Sequence, residues 1–232
     1  MYFNYYYDPT MIFLLPAIIL ALYAEFKVNY NINKYSKVMS RQGFSGADVA
    51  RQLLMLAGIN DVKVKITKGK LTDNYNPADK TLNLSHDVYE SNSLAAVGIA
   101  AHETGHAIQH QDEYFPLVLR SSIVPLVNFS SHLSVPLIFI GLIFSRGNSL
   151  ILNLGIILFA IVVIFQLVTL PVELNASRRA VKLLAQNNFL DESEMPAVKK
   201  VLGAAALTYV AAAVSALANL IRYMIIAKNR RD

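Results

Sequence analysis

Four long runs of apolar residues alternate with polar stretches along this chain. The runs lie at residues 10–26, 115–144, 150–171 and 202–227. A helix needs about 20 mostly apolar residues to cross the roughly 30 Å hydrocarbon layer of a membrane. The pattern therefore predicts about four transmembrane helices, and the short link at residues 145–148 makes the second and third an antiparallel hairpin. The last run either crosses the membrane fully or packs in a bundle.

The first apolar run is predicted to be a retained membrane anchor. The residues before it, MYFNYYYDP, are aromatic and contain no Lys or Arg. A cleaved secretory leader has a basic start, which is missing here. The tyrosines suit the boundary between membrane and water, where aromatic side chains are enriched.

The polar stretch after the anchor predicts a small region of mixed structure. Ser45 followed by Asp48, with apolar residues at helical spacing behind them, predicts a capped amphipathic helix that ends at Gly58. Apolar and polar residues then alternate as they do in half-buried strands. The predicted strands are residues 62–66 and 81–85, and residues 72–77 between them are predicted to form a loop.

The chemistry of the chain is concentrated in the segment SNSLAAVGIAAHETGHAIQHQ, where Ser91 or Ser93 can cap a helix. In that helix His102 and His106 lie one turn apart on one face, so both imidazoles can bind one zinc ion. Glu103 lies beside them, where it can hold and deprotonate a metal-bound water without binding the metal. The pattern predicts a zinc hydrolase site.

Glu173 is the candidate for a third metal ligand, because a catalytic zinc ion usually has three protein ligands. It follows the predicted hairpin, which returns the chain to the membrane side that it left. His110 is the rival, since it shares the helix face of His102 and His106. Eight residues of helix place it about 12 Å from His102, too far for one ion to reach both. His110 is therefore interpreted as a surface residue or a neighbour of the ligands.

Composition and charge narrow the function classes. The net charge is +5, and the absence of cysteine excludes disulfides, zinc ribbons and thiol nucleophiles. Basic residues lie beside the apolar runs and are interpreted as contacts with lipid headgroups, not as a nucleic-acid surface. They are Lys27, Lys34, Lys37, Arg41, Arg178, Arg179, Lys182, Lys228, Arg230 and Arg231. Those after the first run favour a site at the cytoplasmic face, although basic residues flank the last run on both sides.

The sequence resembles the membrane-bound neutral zinc metallopeptidases of the YugP type, which are similar in plan to the HtpX heat-shock proteases and the CAAX prenyl proteases. The resemblance lies in the TDNYNP loop, LNLS, AAVGIAAHETGHAIQ, PVELNASRRA and AALTYVAAA segments, and it covers most of the chain. It implies a gluzincin-like site on a mainly α membrane protein, with about four transmembrane helices and a small α+β zincin-like catalytic region.

The same resemblance implies one Zn²⁺ per chain, bound by His102, His106 and Glu173, with Glu103 as general base. The implied activity is hydrolysis of peptide bonds by a zinc-bound water. The implied substrates are proteins or peptides in or near the cell membrane. The related proteases carry an Asp four residues after the ligand glutamate, where this chain has Ser177. A serine hydroxyl can still hydrogen-bond a ligand histidine, more weakly than a carboxylate.

A further donor could stabilise the charge that develops on the substrate carbonyl. Tyr209 and Arg178 are the candidates, and both are residue types that are also common at a membrane boundary. The strand at residues 81–85 is a candidate for binding the substrate backbone, because a free strand edge could pair with an extended peptide. An ordinary small sheet packed on the metal helix fits the same pattern.

The chain is predicted to consist of five segments, and its oligomeric state stays open. They are an N-terminal anchor (1–26), the zincin-like region with the metal helix (27–115), the transmembrane hairpin (116–172), the helix carrying the third ligand (173–200), and the C-terminal apolar helix with its basic tail (201–232). An alternative function is a zinc-binding membrane scaffold or regulator without proteolytic activity. An ion transporter is disfavoured, because the ligand cluster lies outside the apolar runs.

Overall fold

A computed structural model of the chain describes residues 9–144 and 150–229. A short 3-10 helix, Pro9–Leu14, precedes seven α-helices within the described residues: α1 Leu15–Tyr35, α2 Gly46–Leu56, α3 His86–Tyr89, α4 Leu94–Gln111, α5 Phe115–Phe144, α6 Leu150–Gln186 and α7 Met195–Asn229. The strands are β1 Lys63–Thr67, β2 Asn74–Asn76 and β3 Thr81–Ser85. The predicted interfacial tyrosines, the link at 145–148 and the basic residues Arg230 and Arg231 lie outside the described residues.

Four of the described helical stretches are long and apolar enough to cross a membrane. They are Thr10–Tyr35, Phe115–Phe144, Leu150–Gln186 and Met195–Asn229. Together with the small three-stranded sheet, they confirm the predicted fold class, a mainly α membrane protein with a small α+β region.

The helix bounds do not follow the boundaries of the predicted segments. The helix carrying Glu173 was predicted as a separate segment, residues 173–200, yet the 37-residue helix α6 runs through Pro171 without a break. A proline removes one backbone hydrogen bond, and neighbouring groups in a membrane protein can compensate for that loss. The last helix begins at Met195, before the predicted boundary at residue 201.

Contacts divide the chain into two compact units. The first unit comprises Met1–Tyr23, Arg120–Val168 and Val210–Asp232. Within it, α5 and α6 are antiparallel: Gly141 lies against Leu152, and Gly155 lies against Ile138, so the contact moves back along one helix as it moves forward along the other. The missing side chains let the two backbones approach closely, as small residues do in membrane bundles.

The second unit comprises Ala24–Leu119 and Thr169–Tyr209, and it holds the sheet and α4. Its main core joins apolar side chains from the end of α1, from α2, α4 and α6, and from the start of α7. A second cluster fills the space between α2, α4 and the sheet, with Leu82 and Leu84 of β3 fully buried. Helix α4, which carries His102 and His106, is therefore covered on two sides.

The start and end of α2 confirm the sequence signals. Ser45 accepts a hydrogen bond from the backbone of Asp48, whose carboxylate accepts one from the backbone of Ser45, which completes the capping box. At the other end Gly58 has a φ of 71°. The backbone N–H groups of Gly58 and Ile59 donate to Met55 and Leu54, a Schellman motif that requires this left-handed conformation.

The sheet contains one strand more than the sequence pattern predicts. Residues 72–77 were predicted to be a loop, but Asn74–Asn76 form β2, which pairs antiparallel with β3. Its two asparagines have low strand propensity, so no strand pattern is visible in the sequence. The pairing with β3 determines the extended conformation instead. Strand β1 pairs parallel with the other side of β3, so the order is β1-β3-β2. Residues 81–85 therefore have no free edge, and β1 and β2 are the two edge strands of the sheet.

Helix α4 begins as predicted and packs closely against α6. Ser93 is its N-cap, and its hydroxyl accepts a hydrogen bond from the backbone of Ala96. Gly105 faces the backbone of Ala176 in α6, where an added Cβ atom would lie 2.7 Å from the carbonyl oxygen. Only glycine permits this approach. It brings the part of α4 next to His106 close to the part of α6 that follows Pro171.

We predict that Gly105→Ala lowers the thermal unfolding temperature of the purified protein in detergent. Forcing a methyl group against a helix backbone costs about 1–3 kcal/mol. Gly203→Ala is the matched control, because Gly203 is exposed in helix α7 and an added Cβ meets nothing within 4 Å. This control should leave stability unchanged or raise it by up to about 1 kcal/mol. Equal unfolding temperatures for Gly105→Ala and the wild type would contradict the proposed close approach.

Candidate metal centre

Three side chains from α4 and α6 converge on one point. The Nε2 atoms of His102 and His106 lie 3.2 Å apart. Glu173 places its Oε2 atom 3.2 Å from Nε2 of His102 and 3.4 Å from Nε2 of His106. The three atoms thus form a nearly equilateral triangle, and Glu173 and His106 are buried.

The triangle has the dimensions of a zinc site. Nitrogen and oxygen ligands of tetrahedral zinc lie about 2.0–2.2 Å from the ion, which sets neighbouring ligand atoms about 3.3–3.6 Å apart. The three observed distances, 3.2, 3.2 and 3.4 Å, agree with this spacing to within about 0.1 Å. Two imidazoles and one carboxylate also form a common donor set of catalytic zinc sites, in which a fourth position is left to water or substrate. The residues present therefore fit the metal.

Gln109 fixes the orientation and the tautomer of His106. The Nε2 group of Gln109 donates to the carbonyl oxygen of Val172 and to Oδ1 of Asn175, both at 2.9 Å. Since the Val172 carbonyl can only accept, the amide orientation is determined, and Oε1 of Gln109 faces Nδ1 of His106 at 3.0 Å. That oxygen can only accept a hydrogen bond, so Nδ1 of His106 carries the proton. The Nε2 atom of His106 keeps a lone pair for a metal ion.

Ser177 plays the corresponding part for His102. Its hydroxyl oxygen lies 3.1 Å from Nδ1 of His102. This is the contact expected for a serine at that position of the ELNAS segment. When Nδ1 donates to the hydroxyl, Nε2 of His102 faces the other two ligand atoms as a lone-pair donor.

The hydrogen bonds continue from Gln109 to the end of α4. Oδ1 of Asn175 accepts from Gln109 and also from Nε of Arg179, at 2.8 Å. Arg179 in turn forms an ion pair with Asp112, the C-cap of α4. Arg179 thus has a counter-charge within the protein, and its contact with lipid headgroups stays a prediction.

Glu103 is buried beside the triangle and has a perturbed acidity. Burial raises the pKa of its carboxyl to about 7, the interaction with His102 opposes this rise, and the carboxylates of Glu173 and Asp73 add to it. A divalent cation between the two histidines and Glu173 would lower this pKa by its own charge. A carboxyl group that titrates near neutral pH is suited to taking and returning a proton.

The remaining candidate residues lie in different places. Nδ1 of His110 hydrogen-bonds the hydroxyl of Tyr75 at 2.7 Å, and His110 does not belong to the cluster of three ligand atoms. Tyr209 lines the same cavity as His102 and Glu103. Arg178 lines another cavity, and the structure does not bring it to Glu103.

Sequence reasoning did not identify Gln109 and Asn175 as supports of the site. Both are polar side chains on the inner faces of helices, and Gln109 has no exposed surface at all. A fully buried amide needs partners for its donors and its acceptor. The available signal was Gln109 three residues after His106, at a spacing that lets the two side chains meet on one helix face.

Comparison with known proteins places the chain in a family. A family model described as "Putative neutral zinc metallopeptidase" matches residues 10–228. The chain belongs to this family. It is 47% identical over 216 residues to "Putative membrane protease YugP" of Bacillus subtilis (strain 168), which covers 93% of this chain and 95% of the relative. No solved structure gives a significant match.

Family membership confirms the resemblance seen in the sequence. It implies zinc as the metal, and the cluster of His102, His106 and Glu173 can hold a metal ion. The membrane protease of B. subtilis and the four apolar helices together support a multi-pass membrane protein.

We predict that Glu173→Ala weakens zinc binding, because it removes one of three ligand atoms. Removing a residue that hydrogen-bonds a metal ligand lowers metal affinity by roughly 10–100-fold. Removing the ligand Glu173 itself should lower the zinc affinity by more than this. His110→Ala is the control, since it deletes a histidine of the same helix face that bonds only Tyr75 in the described contacts. Competition with a zinc-selective chelator measures both affinities. Equal zinc affinities for the two variants would remove Glu173 from the site.

We predict a smaller loss of zinc affinity, about 10–100-fold, for Gln109→Ala, because His106 then loses the acceptor that holds its ring. Thr104→Ala is a matched control: Thr104 is equally buried in α4, but its hydroxyl bonds only the carbonyl oxygen of Ala100, at 2.8 Å. The control should lower stability and leave the zinc affinity unchanged. If both variants bind zinc alike, Gln109 has no part in orienting His106.

Proposed function

We propose that this protein is a membrane-embedded zinc-dependent endopeptidase that hydrolyses peptide bonds of membrane or membrane-proximal proteins. The observation that carries the proposal is the triangle of two imidazole nitrogens and one carboxylate oxygen, with the buried carboxyl of Glu103 next to it. A bound zinc ion would supply activation of a water molecule and polarisation of the substrate carbonyl.

The residues of the chain then have distinct parts. His102, His106 and Glu173 bind the metal, and Ser177 and Gln109 keep the two histidine rings in the required tautomer. Glu103 takes a proton from the attacking water and returns it to the amine that leaves. Tyr209 lies in the cavity next to Glu103 and is the candidate donor for the developing oxyanion.

Strand β2 is the candidate surface for the substrate backbone. It is an edge strand, and the backbone at Tyr75 lies close enough to the Glu103 carboxyl to oppose the rise of its pKa, so the strand runs beside this carboxyl. An extended peptide that pairs with such an edge is held by its main chain, largely independently of its side chains. The scissile bond would then lie alongside α4.

We place the site at the cytoplasmic face of the membrane. The support is the basic cluster that follows the first apolar run, Lys27, Lys34, Lys37 and Arg41, since basic residues are enriched in cytoplasmic segments. The substrates are proteins or peptides, and one zinc ion is bound per chain. Nucleic acids are not expected as partners.

A zinc-binding scaffold without proteolytic activity is the second candidate. The observation that favours it is Ser177, a neutral hydroxyl where the related proteases have a carboxylate. A hydroxyl polarises the ligand histidine less than a carboxylate does. Purified protein that binds one zinc ion and cleaves no peptide would support this candidate.

We predict that Glu103→Gln keeps zinc and loses peptide cleavage by at least about 100-fold, because the amide cannot accept the proton of the water. Zinc content measured by elemental analysis and cleavage of a peptide mixture in detergent test the two parts separately. Glu90→Gln makes the same chemical change at an exposed residue and should leave both unchanged. Full activity of Glu103→Gln would overturn the assignment of the general base.

A further inference from the structure

A cavity of about 300 Å³ opens beside the proposed catalytic residues. His102 and Glu103 form part of its wall. The remaining wall comes from α1, α4 and α7 and from the segment before β2, all within the second unit. Any substrate that places a peptide bond next to Glu103 brings its neighbouring side chains to this cavity.

The larger part of the cavity wall is apolar. Leu71 of the segment before β2 contributes one apolar side chain, and helices contribute the others: Val28, Ile32, Ile99, Val201, Leu202 and Ala205. They come from three helices, and two of these, α1 and α7, are long and apolar enough to cross a membrane. The cavity therefore has the proposed catalytic residues at one edge and an apolar surface over the rest of its wall. Moving an apolar group from water onto that surface is favourable.

Two polar groups of the wall, apart from the proposed catalytic residues, are engaged with the protein itself. The carboxylate of Asp73 accepts hydrogen bonds from the backbone N–H of Ser85, at 2.7 Å, and from its hydroxyl, at 3.0 Å. Thr208 donates its hydroxyl proton to the carbonyl oxygen of Ala205, at 2.6 Å. A charged or amide side chain entering the cavity would lose its water and compete for these groups, which is unfavourable.

We propose that this cavity binds a large apolar side chain, of the size of Leu, Met or Phe, on the substrate residue next to the cleaved bond. The proposal rests on the proposed endopeptidase function and adds its substrate class: peptide segments with a bulky apolar residue at the cleavage point. Segments that enter or leave a membrane have this composition.

The chain offers a matched pair of variants, because Ala205 and Ala206 are neighbours on α7 but line different cavities. Ala205 lies in the cavity with Glu103, whereas Ala206 lies in the one with Arg178. A leucine at residue 205 fills the proposed side-chain site. A leucine at residue 206 adds the same volume about 100° around the helix, in the cavity that Glu103 does not line.

The experiment uses the full zinc-loaded protein in detergent and a synthetic library of unstructured peptides, with cleavage points identified by mass spectrometry. The wild type should prefer Leu, Met or Phe next to the cleaved bond over Ala by at least about 10-fold in kcat/KM, since each methylene in an apolar pocket changes this ratio by about 10-fold or more. Ala205→Leu should abolish this preference and still cleave peptides with Ala there. Ala206→Leu should keep the preference of the wild type.

A second variant keeps the proposal testable if Ala205→Leu does not fold, as judged by its thermal unfolding and zinc affinity. Ile99→Ala enlarges the same cavity and should move the preference from Leu towards Phe. Cleavage without apolar preference, or a preference that neither variant changes, overturns this inference and leaves the endopeptidase function intact. A zinc-loaded wild type that cleaves no peptide in the library overturns both.

Discussion

The close approach of α4 to α6 is the constraint on which the site depends. At Gly105 a side chain is missing, and the backbone of Ala176 occupies its place. A short distance between helix axes is needed because histidine and glutamate side chains must meet over little more than 3 Å. Had the helices been separated by ordinary side chains, the carboxylate of Glu173 would stand too far from the imidazoles to share an ion with them.

The same interface buries polar groups, and it can do so because they satisfy one another. Gln109 accepts a hydrogen bond from His106 and donates its two N–H groups to Val172 and Asn175, so every polar group of the amide has a partner. Buried amides are costly when half satisfied and rigid when fully satisfied. The network thus orients a candidate metal ligand, His106, through dipoles, with a charged pair only at its outer end, at Arg179 and Asp112.

The convergence of His102, His106 and Glu173 could be predicted because helical spacing and a membrane hairpin are both visible in the sequence. The capping box at Ser45 and the strand at residues 81–85 follow similarly local rules. Strand β2 could not be predicted, since its asparagines have low strand propensity and only the partner strand selects their conformation. Likewise, nothing local distinguishes Gln109 from a surface glutamine until Val172 and Asn175 are brought opposite it.

The order of the ligands along the chain has a consequence for biogenesis. His102 and His106 are synthesised first, and Glu173 follows only after α5 and the apolar part of α6. A nascent chain therefore carries two ligands and no complete metal site until both arms of the hairpin have left the ribosome. Completion of the candidate metal site thus depends on a residue that is synthesised only after both apolar arms.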